Sequence, residues 1–188
     1  MAFLGIRLPE ALVADLPLLP LMSRYPELKW TKLPDLHLTL RFFPEGGTPN
    51  LETLVAAMQT HRTHVAPFDL HVRGAGTFDR QKNGGVLWLA LASVPPQLSQ
   101  LQLELESLAH SLGYAPEPRT FNPHITIARY RFEDREKVLE VVARITASPA
   151  FHRGFHADRF SLMKRTRDEP TRVYQDLLIR PLWEAKDN

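Results

Sequence analysis

Two short segments of the chain share one alternation of polar and apolar residues. In the first, His37 and Thr39 alternate with leucines, and in the second, His124 and Thr126 alternate with isoleucines. A period of two is typical of a β-strand, in which successive side chains point to opposite faces of the sheet. The pattern therefore predicts two strands that each present an imidazole and a hydroxyl on one face. We expect the aliphatic residues on the other face to lie on a hydrophobic core.

Elsewhere in the chain, apolar residues that alternate with polar ones predict strands, and apolar residues three to four positions apart predict helices. Strands are predicted at residues 3–8, 35–43, 67–78, 85–93, 123–131, 155–164 and 172–182. Helices are predicted after Pro9, from about 50 to 64, from Pro95 to about 112, and around residues 138–145. Pro17 and Pro20 are expected to shorten or distort the first helix, because proline lacks a backbone donor. This order of elements predicts an α+β fold.

An internal repeat links the two histidine segments. At a constant offset of 87 residues, Pro9 aligns with Pro96, His37 with His124, Thr39 with Thr126, Phe68 with Phe155 and Val86 with Val173. The even spread of these matches indicates two diverged copies of a unit of about 90 residues. We therefore expect one catalytic domain made of two pseudo-symmetric lobes, about 1–92 and 93–188, of antiparallel sheet backed by helices. The histidines would then face the cleft between the lobes.

Composition narrows the class of protein. With 188 residues, 44% of them hydrophobic and 23% charged, the chain is typical of a globular domain with a sizeable core. It has no apolar run of the roughly 18 residues that a membrane span needs, and no signal-peptide pattern at its start. The absence of cysteine excludes disulfides and thiolate metal sites, and fits a cytoplasmic location. A net charge of only +2 is compatible with a small polyanionic ligand.

Two imidazoles and two hydroxyls around one anion suit the hydrolysis of a phosphodiester. Histidine can act as general base or general acid because its unperturbed pKa of about 6.5 leaves both forms available near neutrality. Thr39 and Thr126 can donate hydrogen bonds to non-bridging oxygens as negative charge develops. A lone histidine on a half-exposed strand is usually structural, but His37 and His124 occupy equivalent positions of a repeat. We therefore interpret this pair as catalytic, with no metal required.

The motifs resemble those of the two-histidine phosphoesterase superfamily, in particular its bacterial and archaeal branch of 2′-5′ RNA ligases or RNA 2′,3′-cyclic phosphodiesterases. The opening Phe-Leu-Gly-Ile-Arg-Leu-Pro at 3–9, Arg-Thr-Phe-Asn-Pro at 119–123 and Phe-Ser-Leu at 160–162 with Tyr174 extend the resemblance over nearly the whole chain. Phe43 and Pro44 depart from the Leu-Gly that usually follows the first motif, and residues 164–167 are unusually basic. These departures concern loop shape and leave the chemistry unaffected.

This resemblance implies a bilobal, metal-independent RNA 2′,3′-cyclic 3′-phosphodiesterase that opens the ring to a 2′-phosphomonoester. It also implies reversible 2′-5′ RNA ligase activity. The expected partners are RNA ends or nucleotides with a 2′,3′-cyclic phosphate, and no cofactor, metal or membrane is expected. We expect a cytoplasmic monomer. By the same resemblance His37 is assigned as the acid on the leaving 3′ oxygen, His124 as the base, and Arg129 as a substrate-binding residue.

Two other functions stay open from the residues alone. A protein that binds RNA ends without catalysis would keep the same pocket. A phosphodiesterase for a small nucleotide, such as a cyclic phosphate of ADP-ribose, would use the same chemistry without RNA.

Several residues near the motifs have two interpretations. Strict alternation places Arg129 opposite His124, so it needs a bulge or a strand end to reach the site. Arg41 would lie on the His37 face or be solvated, and Phe42 is interpreted as core rather than as a base-stacking surface. Tyr174 would lie near the cleft or be a cross-strand aromatic residue. The basic cluster that would steer RNA or form a charged turn comprises Lys164, Arg165, Arg167 and Arg172.

Two further histidine patterns favour a structural interpretation. His61 and Thr63 form a third His-x-Thr, but they continue an apolar stripe with helical spacing and are predicted on a solvated helix face. His152 and His156 have a metal-ligand spacing only on a helix, and Gly154 between them argues against a helix there.

Overall fold

A computed structural model describes the chain at residues 1–44, 50–79, 83–166 and 174–183. These residues form nine strands: β1 (Ala2–Arg7), β2 (Lys29–Trp30), β3 (His37–Phe43), β4 (Phe68–Asp79), β5 (Gly85–Leu91), β6 (Ile125–Tyr130), β7 (Arg153–Ala157), β8 (Arg159–Arg165) and β9 (Tyr174–Pro181). The described α-helices are α1 (Glu10–Asp15), α2 (Leu18–Arg24), α3 (Leu51–Thr60), α4 (Pro96–Ser111) and α5 (Arg135–Ala147). Among them, none is long and apolar enough to cross a membrane.

All nine described strands belong to one antiparallel sheet, which confirms the α+β class. The strand order is β7-β4-β5-β6-β3-β1-β8-β9, and β2 pairs with β6 beside this path. β3 and β6, the two histidine strands, are neighbours at the centre and are paired at one position. The described strands therefore place the candidate site at the middle of the sheet.

The two halves of the chain are interleaved in this sheet. On one side of the junction between β6 and β3, β4 and β5 from the first half combine with β6 and β7 from the second. On the other side, β1 and β3 from the first half combine with β8 and β9 from the second. The sheet therefore does not divide at residue 92, although the main path of eight strands has four on each side of this junction. The origin of the two sides in one repeated unit stays a prediction.

The core forms on the aliphatic face of the central strands, as the alternation predicts. Leu38 and Ile125 are fully buried. Leu101 and Leu105 of α4 and Val141 of α5 belong to the same buried cluster, so these helices cover that face. Burial of such side chains stabilises the fold by about 1.5–3 kcal/mol each.

Several element boundaries differ from the prediction. Helix α3 ends at Thr60, and a backbone bond from the N–H of His61 to the carbonyl of Ala57 closes it. The prediction for the third His-x-Thr was therefore wrong, because this segment follows the helix and Thr63 is buried. The predicted strand 155–164 is two strands, β7 and β8. Pro17 separates α1 from α2, and this confirms that the first helix is interrupted.

Candidate active site

The four residues of the two motifs come together where β3 meets β6. Leu38 pairs with Ile125 in antiparallel register. Extending that register by one residue in each direction places His37 opposite Thr126, and Thr39 opposite His124. Because the paired residues point into the core, all four polar side chains lie on the other face of the sheet. Each histidine therefore has the threonine of the other motif as its cross-strand neighbour.

Both imidazoles are held in the same way. Nδ1 of His37 lies 2.6 Å from the carbonyl oxygen of Asp35, and Nδ1 of His124 lies 2.7 Å from that of Asn122. A carbonyl can only accept, so Nδ1 carries the proton in both rings. Nε2 is then the nitrogen of each ring that can accept a proton from, or donate one to, a ligand.

Aromatic rings enclose His37. The ring of Phe3 stacks on the imidazole with centroids 4.6 Å apart, and Tyr174 meets it edge-on at 5.1 Å. Tyr174 therefore contacts the site. Burial lowers the pKa of His37 to about 3, and the positive charges of Arg7 and of a protonated His124 act in the same direction. His37 is thus neutral in the free protein near neutral pH.

Arg7 connects the final strand to the wall of the site. Its Nε bonds to the carboxylate of Asp176 at 2.9 Å, and its guanidinium donates to the backbone carbonyl of Tyr174 at 3.2 Å and to that of Pro34 at 3.0 Å. Arg7 is also the cross-strand partner of His37. It therefore fixes the backbone of Tyr174 beside the imidazole, and Asp176 raises the pKa of His37 in opposition to burial.

His124 has its own aromatic wall. The ring of Phe78 meets the imidazole edge-on at 4.8 Å, and the ring of Trp88 lies 6.1 Å away. Burial lowers the pKa of His124, whereas the hydrogen bond to Asn122 favours the protonated ring and opposes that shift. Neutral aromatic surface therefore surrounds this imidazole, in contrast to the charged pair beside His37.

Each histidine strand contains a β-bulge after its threonine. On β3, Gly5 pairs with Thr39 and Leu4 pairs with Arg41, so Leu40 is the additional residue. A bulge of this kind shifts the faces of all following residues by one position. Phe42 therefore lies on the His37 face, and Arg41 points to the core.

The bulge on β6 brings Arg129 to the site face. Trp88 pairs with Thr126 and Leu87 with Ala128, so Ile127 is additional. Arg129 then pairs with Val86, two positions from Trp88 on the same face of β5. It thus lies on the face of Thr126, and it is exposed. The bulge that Arg129 requires to reach this face is present.

Because of the bulge on β3, the positions of Phe42 and Arg41 differ from the sequence interpretation. Phe42 is 40% exposed, so the prediction that it is core was wrong. Arg41 was placed on the His37 face or in solvent, but its side chain is only 5% exposed beneath the sheet. It contacts Glu106 at 2.8 Å, Glu117 at 3.2 Å and the carbonyl oxygen of Ala115 at 2.5 Å. Arg41 thus ties the His37 strand to the segment that leads to His124.

Sequence reasoning missed several residues of the site. The rings of Phe3, Phe78 and Trp88, and the charged pair of Arg7 and Asp176, were not singled out. Phe3 and Arg7 lie four residues apart in β1, so a period of two places both side chains on the same face of that strand. Phe78 lies in β4, where the same alternation assigns its ring to one face of the strand.

The remaining candidates are the basic cluster and the pair His152 and His156. Lys164 and Arg165 end β8 and are exposed, whereas Arg167 and Arg172 of the same basic cluster lie outside the described residues. His156 lies on a strand, and its Nδ1 is 2.8 Å from Asp69.

Comparison with known proteins identifies the family and the fold. The family model of the 2′-5′ RNA ligase superfamily matches residues 22–169. An RNA 2′,3′-cyclic phosphodiesterase of Methanothermobacter thermautotrophicus is 29% identical over 147 residues, which are 77% of this chain and 79% of that protein. An enzyme of the same name from Geobacillus stearothermophilus is 29% identical over 165 residues, which are 88% of this chain but only 51% of the relative.

Solved structures share the fold over almost the whole chain. Escherichia coli LigT complexed with 3′-AMP superposes with a TM-score of 0.74 at 25% identity, covering 96% of this chain and 97% of LigT. A protein of Thermus thermophilus, TT0787, has the same fold, with a TM-score of 0.71 at 22% identity and coverage of 98% and 99%. The match of the family model over most of the chain establishes that this protein belongs to the 2′-5′ RNA ligase superfamily.

Proposed function

We propose that the protein hydrolyses RNA 2′,3′-cyclic phosphate ends to 2′-phosphomonoesters. The observation that carries this proposal is the pair of imidazoles, each with Nδ1 bound to a carbonyl and with a threonine across the strand. The names of the relatives support RNA ends as the substrate. The chemistry needs one proton acceptor and one proton donor on opposite sides of a phosphorus atom, and a pseudo-symmetric pair provides both.

Each side chain of the site has one role in the reaction. Nε2 of His124 accepts a proton from water as the water oxygen attacks phosphorus. The bond from phosphorus to the 3′ oxygen breaks, and Nε2 of His37 donates a proton to that oxygen. The hydroxyls of Thr39 and Thr126 donate to the non-bridging oxygens while their negative charge increases. Arg129 contributes positive charge to substrate binding from the same face.

The low pKa of His37 means that substrate binding has to change the protonation state of this imidazole. A neutral imidazole cannot act as an acid, so His37 has to gain its proton when the substrate binds. An anionic phosphate beside the ring favours the charged form and raises the pKa. Catalysis is then expected to depend on pH through two apparent pKa values that belong to the pair of histidines.

The decisive experiment compares the wild type with His37→Ala, His124→Ala and the double variant on one cyclic mononucleotide. Each single replacement is expected to lower kcat/KM by roughly 10²–10⁴-fold. The double variant should lose far less than the product of both losses, because the two histidines act in one step. Independent losses that multiply, or near-wild-type activity in either single variant, would refute the mechanism. The product must be the 2′-phosphomonoester.

A second test concerns metal ions. With two imidazoles performing both proton transfers, EDTA should leave the rate unchanged. Loss of activity in EDTA that a divalent ion restores would contradict the proposal. The same displacement, with a 5′-hydroxyl in place of water as the nucleophile, would break the bond from phosphorus to the 3′ oxygen and form a 2′-5′ linkage, and the family name supports this second activity.

A further inference from the structure

A cavity lies beside the charged pair of Arg7 and Asp176, at the end of β1. Its volume is about 830 Å³, which is within the usual range for sites that bind small molecules. Its apolar lining comes from the end of β1, from α1 and from the segment before β3, and comprises Leu8, Val13, Ala14, Leu33 and Pro34. Such a combination of apolar surface and a few polar groups is typical of a ligand site.

The cavity adjoins the candidate active site. Arg7 is the cross-strand partner of His37, and directly opposed residues have Cβ atoms about 4.5–5.5 Å apart. The ring of Tyr174 meets the imidazole of His37 edge-on at 5.1 Å, and Tyr174 also lines the cavity. Tyr174 therefore borders both the imidazole and the cavity, so a ligand that extends past this ring can reach from one to the other.

The charges around the cavity suit a nucleobase rather than a phosphate. Among the described residues that line it, one is a cation, Arg7, and two are carboxylates, Glu10 and Asp176. The guanidinium already bonds to Asp176 at 2.9 Å and to the backbone carbonyls of Pro34 and Tyr174. A phosphate would therefore be repelled by the carboxylate of Glu10. A nucleobase has apolar faces, and N–H groups at its edge can donate hydrogen bonds to a carboxylate.

The proposed reaction also implies on which side an RNA strand leaves the histidines. His37 gives its proton to the leaving 3′ oxygen, so the ribose of the terminal nucleotide lies next to His37. Every other nucleotide of the strand is attached through the 5′ carbon of that ribose. The strand therefore continues on the side of His37, where Tyr174 and the cavity lie.

We infer that this cavity binds the base of the nucleotide that precedes the cyclic end of an RNA strand. This inference rests on the proposed function. The base would lie against the apolar lining, with the ring of Tyr174 at its border. Every base has an apolar face that can pack on such a surface, so the site would favour a strand without reading its sequence. The protein would then prefer RNA ends to cyclic mononucleotides.

The test compares two substrates that differ by one base. One is a diadenosine RNA dinucleotide with a 2′,3′-cyclic phosphate at its 3′ end, and the other lacks the base of its first nucleotide. Both contain the same two phosphates, so the comparison isolates the base. In the wild type the intact dinucleotide should have a kcat/KM higher by roughly five- to thirtyfold. Equal values would overturn the inference.

Variants of α1 test whether the cavity causes this preference. Ala14 is exposed and lines the cavity, so the side chain of Ala14→Trp would fill part of it. The ratio of the two kcat/KM values should then fall towards one, and an unchanged ratio would overturn the cavity as the site. Because both values come from the same enzyme, partial unfolding of a variant does not alter their ratio. Ala11→Trp is the matched control and should keep the wild-type ratio, because Ala11 is exposed on the same helix outside the cavity.

Binding without turnover separates this inference from the proposed function. Calorimetry would use two dinucleotides that end in a 2′-phosphate, one with both bases and one with the terminal base only. The first should have the lower Kd, and the difference should shrink in Ala14→Trp but persist in Ala11→Trp. Equal Kd values in the wild type would overturn the base site even if the enzyme is active. Absence of hydrolysis with this difference intact would overturn the proposed function alone.

Discussion

The buried imidazole of His37 should make the stability of the protein depend on pH. Burial against Phe3 lowers the pKa of His37 from 6.5 to about 3 in the folded protein, whereas an unfolded chain keeps the ordinary value. Below pH 6.5 the unfolded state therefore binds a proton that the folded state does not bind. Stability is fully present above pH 6.5 and is lost as the pH falls towards 3.

The size of the effect follows from the two pKa values. Between pH 7 and pH 5, His37 should lower the free energy of unfolding by about 2 kcal/mol. The comparison stops at pH 5 because carboxyl groups such as Asp79 and Asp158, whose pKa values are lowered by hydrogen bonds, add their own dependence at lower pH.

The variant His37→Asn tests this value. Asparagine keeps an N–H donor near the carbonyl of Asp35 but does not titrate. Urea unfolding at pH 7 and at pH 5 should show a loss about 2 kcal/mol smaller in the variant than in the wild type. Thr39→Val, which changes no titrating group on the same strand, should match the wild type in its pH dependence. If His37→Asn loses as much stability as the wild type, the imidazole is not held neutral by burial.

Three other tests, with four variants, concern the site and the strands that support it. Arg41→Met leaves two carboxylates without their buried cation and should reduce the free energy of unfolding by about 3 kcal/mol in urea; a loss below about 1 kcal/mol would contradict this role. Gly5→Ala would place a Cβ 2.7 Å from the carbonyl oxygen of Leu38, so thermal unfolding should show a loss of about 1–3 kcal/mol, and an unchanged Tm would refute the close contact. Thr39→Val and Thr126→Val should each raise the barrier by about 2–4 kcal/mol in kcat/KM, and unchanged values in both would make the threonines structural.

The sequence predicted what depends on local alternation. The shared face of His37 and Thr39 and the buried position of Leu38 follow from a period of two, and both histidine strands have the predicted extended conformation. The order of helices and strands follows from the same local signals. These features needed no knowledge of the neighbouring strands.

The direction of the side chains that follow Thr39 and Thr126 in their strands could not be predicted in this way. A bulge is created by the register of the partner strand, and the partner of β3 lies more than thirty residues earlier in the chain. One additional residue, Leu40, reverses the faces of Arg41 and Phe42. The buried position of Arg41 also depends on Glu117, which is 76 residues away in the sequence. No pattern local to β3 contains that information.

The interleaving of the chain halves has a consequence for the order of folding. The contact between Arg7 and Asp176 joins residues 169 positions apart, and β1 lies between β3 and a strand from the far end of the chain. On a ribosome, the wall around His37 cannot close until β8 and β9 have been synthesised. Contacts at such separations also require the closure of long loops, which slows folding relative to local pairing. We therefore expect an amino-terminal fragment that ends near residue 92 to expose unpaired strands and to aggregate instead of forming half of the catalytic site.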